Sequence, residues 1–146
     1  IAAPRDVIAL WLAPRLAAYR DDYPAVRFHL IASEGEPDFA EANLDIAVRF
    51  GSDGGAHPAA AIGEAGLIPV ATPDFDGTAR ICWPGDGQAA ADAEMTVAEP
   101  GLALRAAAAG LGIAHVPRLL AEPEIAAGRL IETASGAAGG TSQIDP

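Results

Sequence analysis

An α/β fold built on a parallel sheet is what this sequence predicts, and three observations carry the prediction. Apolar residues change period along the chain. Ile8, Trp11, Leu12, Leu16 and Tyr19 recur every three or four positions, as on one helical face, whereas Val26, Phe28 and Leu30 alternate with Arg27, His29 and Ile31, as in a strand. The segments then follow one another as strand, helix, strand, helix, strand, the order in which crossover helices join parallel strands. Finally, 146 residues, 51% apolar and 20% charged, suffice for one domain with a core or for two small lobes sharing a hinge.

The elements are read in chain order. Residues 1–3 are expected to form the tail of a strand that begins further upstream. Pro4, Arg5 and Asp6 open a helix. Pro14 sits inside the helical pattern, so it must kink the helix or restart it, and Pro24 ends it by disfavouring helical geometry at Tyr23. Residues 26–31 make a strand and 34–37 a loop. Asp38 caps a short helix running to Asn43, and 44–50 make a second strand, closed by a Gly-rich turn at 51–55. An apolar run at 66–71 closes at Thr72, Pro73 and Asp74. Short strands follow at 81–83 and 95–98, with a loop at 85–91 between them. Glu99 and Pro100 start a helix, because proline suits the first helical position and an acid suits the N-terminus. That helix covers 102–109 and stops at Gly110. A strand at 111–116, a helix at 117–127 capped by Gly128, and a strand at 130–132 complete the order. From Ser135 onward the chain is Gly, Ala, Ser and Thr, and is expected to be mobile.

Composition removes several functions. The net charge of −11 repels a phosphate backbone, so nucleic acid is not a partner of this chain by itself. All nine basic residues are Arg; without Lys there is no phosphate-cradling loop of the Walker type. Cys82 is the single cysteine, which excludes an internal disulfide. No run of about 18 apolar residues exists to span a membrane. Residues 1–6 lack an initiator Met and do not resemble a signal peptide, so the chain is expected to be a piece of a longer protein.

No catalytic constellation is legible. Gly110-Leu111-Gly112 precedes a strand, whereas a dinucleotide fingerprint follows one, and no nucleophile elbow occurs. His29, His57 and His115 lack metal-ligand spacing, and neither Glu34 with Glu36 nor Glu122 with Glu124 is placed in a cleft. Ligands of open α/β sheets sit beyond the carboxyl ends of strands. That logic nominates Arg5 and Asp6 after the first strand, Ser33 and Glu34 after the second, and Arg49 after the third. Further along it nominates Thr72, Glu99, Pro100 and His115. Two of these positions are helix N-termini, whose N–H groups suit an anion. Some have a plainer alternative. His115 reads first as a half-buried imidazole satisfied by backbone, Arg49 equally as half of a structural ion pair, and Ser33 as a turn residue.

Five motifs fall in one order over residues 1–133. They are Trp11-Leu12-Ala13-Pro14-Arg15-Leu16 with Tyr19-Arg20 and Tyr23-Pro24; Leu44-Asp45-Ile46-Ala47-Val48-Arg49-Phe50-Gly51; and Pro69-Val70-Ala71-Thr72-Pro73. Next come Ala106 to Ala114 leading to Pro117, and Leu120-Ala121 with Ala126-Ala127-Gly128-Arg129-Leu130. Together they resemble the effector-binding domains of LysR-type transcriptional regulators, in the branch that includes glycine-cleavage and β-lactamase regulators. The resemblance implies a periplasmic-binding-protein-like fold: two Rossmann-like lobes joined by two crossing segments. Lobe I would comprise 1–70 with 118–146, and lobe II, shortened relative to the family, 71–117. It implies a non-enzymatic sensing and dimerisation domain without metal or cofactor, binding a small metabolite in the interlobe cleft to control transcription. The homodimer, which a full-length protein could extend to a tetramer, would bring the first helix of one copy near the 102–109 helix of the other. DNA would be reached only through the family's N-terminal winged helix-turn-helix, absent from this chain, in the cytoplasm. The alternative is a periplasmic solute-binding protein of a transport system; a small α/β enzyme is the third class.

Overall fold

A computed structural model describes residues 1–33, 44–50, 58–63 and 65–134. The short helix expected at 38–43, the turn at 51–55 and the tail from 135 lie outside the described residues, as do Glu34 and His57. The chain divides into two compact units, Ile1–Gly63 and Glu64–Pro146.

In the first unit β1 (Ala2–Ala3) pairs in parallel with β2 (Ile31–Ala32), and Ala2 bridges Ala47 in parallel on its other side. The strands expected at 26–31 and 44–50 therefore shrink to two residues and to one bridge. The alternation itself is present, with Val26, Phe28 and Leu30 half-buried and Arg27 and His29 exposed. Alternation reports which face a residue takes. A ladder also needs a partner backbone, and β1 is only two residues long.

The helical stretch is continuous but not uniform. It runs as α1 (Arg5–Val7), a wide π turn (Ile8–Leu12) and α2 (Ala13–Asp22). The Ala13 N–H bonds the Ile8 carbonyl, five residues back. Pro14 has no N–H to give to Leu10, and the wide turn moves it into the first turn of a restarted helix, where the missing donor costs least. Of the two outcomes expected at Pro14, the restart is the one adopted. The inserted residue also turns the apolar face by about 100°. Val7, Trp11 and Leu12 are buried, whereas α2 buries nothing and Tyr19 is exposed.

The second unit is a five-stranded sheet, order β5-β4-β6-β3-β7. Its strands are β3 (Leu67–Ala71), β4 (Arg80–Cys82), β5 (Met95–Thr96), β6 (Ile113–Pro117) and β7 (Ile131–Glu132). β4 runs parallel to β5 and β6, as expected, but β3 runs antiparallel to β6 and β7. β6 and β7 share a direction because a helix joins them. β3 arrives from earlier in the chain, slots between them, and is free of that constraint.

Two helices cover this sheet. α3 (Pro100–Ala108) buries Ala103, Leu104 and Ala107, and α4 (Arg118–Ala126) buries Leu119, Leu120 and Ala121. They meet Ile68, Val70, Ile81, Ala114 and Val116 of the strands in a core dominated by small and branched side chains. α4 ends as expected at Gly128, with the Arg129 N–H reaching back to the Glu124 carbonyl at 3.0 Å. The Glu124 side chain lies on the buried face of α4. Its carboxylate accepts from Arg129 Nε at 2.6 Å and Nη2 at 3.2 Å, and from Arg105 Nη1 of α3 at 3.4 Å. Charged donors thus compensate a carboxylate that the helix pattern alone would leave buried and costly. Among the described residues no helix is long and apolar enough to cross a membrane.

Candidate functional site

The parallel register of the first unit sets the carboxyl ends of its strands side by side. Pairing of Ala3 with Ala32, and of Ala2 with Ala47, brings Pro4, Ser33 and Arg49 to one edge. Arg5 and Asp6 begin the helix that leaves this edge. The Ser33 N–H is held by the Ala3 carbonyl at 2.9 Å, and Arg49 is half-buried. Of the nominated residues in this unit, all but the undescribed Glu34 therefore occupy one edge.

The second unit has an open pocket of about 440 Å³ at the carboxyl ends of β4 and β5, lined by 82–88 and 96–98 with Ala90. Its wall is the loop leaving β4, built on Asp86, which is only 2% exposed. Asp86 Oδ2 accepts the Trp83 N–H at 3.1 Å, Oδ1 accepts the Gln88 N–H at 2.9 Å, and the Asp86 N–H returns to the Trp83 carbonyl at 3.2 Å. This is an aspartate-centred turn, and Gly85, with φ of +96°, supplies the backbone geometry it needs. Arg80 straps the loop: its Nη1 donates to the Ala89 carbonyl at 2.9 Å and lies 3.9 Å from Cys82 Sγ, and its backbone N–H donates to Glu94 Oε2 at 2.6 Å. That backbone donor holds the Glu94 carboxyl below its ordinary range.

Trp83 Nε1 donates to the His115 carbonyl at 2.7 Å, tying the loop to β6. Burial pushes the His115 imidazole below its ordinary value, against the opposing pull of the Asp86 charge, and so favours the neutral ring. Burial, with the Asp86 carboxylate beside it, pushes the Cys82 thiol up, which keeps it protonated and unreactive.

The nominated residues of this unit do not all meet. Glu99 and Pro100 follow β5 into α3, Glu99 as an extended N-cap whose side chain makes no capping bond. His115 lies within β6 rather than at its end, because the strand runs on through Pro117, but the parallel register sets it level with Cys82 at the end of β4. Thr72 is at the opposite edge, beside the start of β6 and β4. The strand-end rule assumes parallel strands, and antiparallel β3 delivers its carboxyl end to the other side. Sequence reasoning missed Trp83 and Asp86. The signal was Pro84-Gly85-Asp86-Gly87, an acid between two glycines after a strand, which marks a specified turn rather than a featureless loop.

No known family profile matches the chain. It is 29% identical to the HTH-type transcriptional activator AmpR of Rhodobacter capsulatus in an alignment 152 residues long, gaps included, that covers 84% of this chain and 50% of that protein. It therefore spans about half the length of the curated relative it matches. Among solved structures, the regulatory domain of CrgA, a LysR-type transcriptional regulator from Neisseria meningitidis, superposes with a TM-score of 0.69 at 21% identity, covering 90% of this chain and 77% of that one. The effector domain of the transcriptional regulator AmpR of Pseudomonas aeruginosa gives 0.64 at 22%, covering 92% and 77%. The expected periplasmic-binding-protein-like α/β fold is borne out, and the relatives found are regulators rather than transport proteins. In fold the chain resembles LysR-type regulatory domains, and in sequence it is similar to a transcriptional activator over 84% of its length.

Proposed function

We propose that this chain is the effector-sensing domain of a transcriptional regulator: a binding module, not an enzyme, acting in the cytoplasm. The observation that carries this reading is the sequence match to a full-length activator over 84% of the chain. A small-molecule effector binds at strand-end residues, with Arg5, Asp6, Ser33, Arg49, Glu99, Pro100 and His115 as candidate contacts. Occupancy shifts the balance between conformations because the effector favours one of them, and a DNA-binding domain elsewhere in the full-length protein reads the result. The domain also dimerises. The α2 face with Tyr19, 47% exposed, and Tyr23, 57% exposed, supports this reading, since the two rings stack 4.7 Å apart without being covered.

Thermal-shift screening against a metabolite library tests the sensing role. A true effector raises the melting temperature, and Arg49→Ala abolishes regulation in the full-length protein. If no compound stabilises the domain and Arg49→Ala regulates normally, the assignment fails. Sedimentation of a monomer at tens of micromolar, roughly, would remove the stable dimer.

A further inference from the structure

We infer that the pocket at the ends of β4 and β5 takes an uncharged planar group of the effector, stacked against Trp83. The inference rests on reading the chain as an effector-binding domain and adds the chemistry of one subsite. Trp83 is held from two sides. Its indole N–H is committed to the His115 carbonyl at 2.7 Å. The benzo edge of the same ring lies against Gly85, where an added Cβ would sit 3.3 Å from Cζ3. The ring is therefore fixed before a ligand arrives, and little side-chain freedom is lost on binding. With its only donor committed, the ring presents apolar edge and π face alone.

The rest of the lining sets the charge of the guest. Among the described residues no Arg or His lines the pocket, and the ionisable side chains that do are Asp86 and the thiol of Cys82. Both Asp86 oxygens already accept backbone N–H groups and the residue is 2% exposed, so a cation finds no open carboxylate. An anion would meet the Asp86 charge, and the Arg80 guanidinium, which reaches the Cys82 Sγ at 3.9 Å, does not line the pocket and already donates to the Ala89 carbonyl. What remains is neutral: Gln88 and Thr96 for hydrogen bonds, and Trp83, Pro84 and Val97 for apolar contact. A volume of about 440 Å³ is ample for a single ring system.

Benzamide and benzoate share a ring and differ in charge, so they serve as probes. The two indole N–H signals of the ¹⁵N-labelled chain, from Trp11 and Trp83, are separated by comparison with Trp83→Phe. Benzamide should shift the Trp83 signal and the amides of 85–88 in a saturable titration. Benzoate should bind at least about tenfold more weakly, because its charge is buried unpaired. Trp83→Leu should weaken benzamide several-fold, and Trp83→Phe, which keeps a ring, less. Benzoate binding as tightly as benzamide, or neither probe shifting this loop, overturns the inference without needing any variant to fold. If a library compound stabilises the domain and shifts Ser33 or Arg49 while both probes leave Trp83 unmoved, the subsite chemistry is wrong and the effector reading survives. If no compound binds anywhere, both fall.

Discussion

Gly112→Ala should be among the most damaging small substitutions in this chain. A Cβ built there lies 2.6 Å from the Ala79 carbonyl oxygen and 3.0 Å from its carbon, both backbone atoms. The same carbonyl accepts the Ile113 N–H at 2.9 Å, the bond that starts the pairing of β6 with β4. Relieving the clash means moving the Ala79 peptide away from β6 and losing that bond. Overpacking against an unyielding neighbour costs about 1–3 kcal/mol. The lost hydrogen bond adds about 1 kcal/mol, for a total of about 2–4 kcal/mol. Thermal unfolding followed by circular dichroism should show the melting temperature falling by roughly 10 °C. Leu111→Ala, one residue away and 49% exposed, is the control and should melt close to the parent. If Gly112→Ala melted within about 2 °C of the parent, the close approach of Ala79 to β6 would not be a feature of the folded protein.

Two further predictions concern one buried and one half-buried ionisable group, Glu124 and His115. Glu124→Gln should cost about 1–2 kcal/mol at neutral pH, a charge-assisted bond discounted because Arg129 and Arg105 are themselves 59% and 61% exposed. The Arg129 hydrogen bond holds the Glu124 carboxyl below its ordinary range. Its contribution is thus full above that range and lost as pH falls through the folded value, so parent and variant should converge in acid melts. His115 has the same sign for a different reason. Burial lowers its folded pKa, so the unfolded chain binds the proton more readily and stability falls as pH drops below the ordinary imidazole value. The slope is at most about 1.4 kcal/mol per pH unit. His115→Gln should flatten the melting temperature between about pH 7 and pH 5, and an unchanged profile would show that His115 is not desolvated.

Among the described residues, the sequence by itself determined the element order and most helix ends. Pro4, Pro14, Pro100, Gly110 and Gly128 act through their own backbone chemistry, which needs no distant partner, and each stands at or next to the helix boundary it predicted. Ordered motifs were likewise enough to indicate the fold. Only the tertiary structure decided which expected strands pair, since a ladder depends on a partner's length, and β1 offers just Ala2 and Ala3. Only it revealed that β3 is antiparallel, which sends Thr72 to the edge away from Glu99, Pro100 and His115. The same holds for the pocket. Asp86 becomes the centre of its wall because a carboxylate gathers the N–H groups of Trp83 and Gln88 around itself, and Trp83 becomes a fixed surface because β6 brings the His115 carbonyl within reach. Local periodicity carries no information about contacts made across 32 residues of chain.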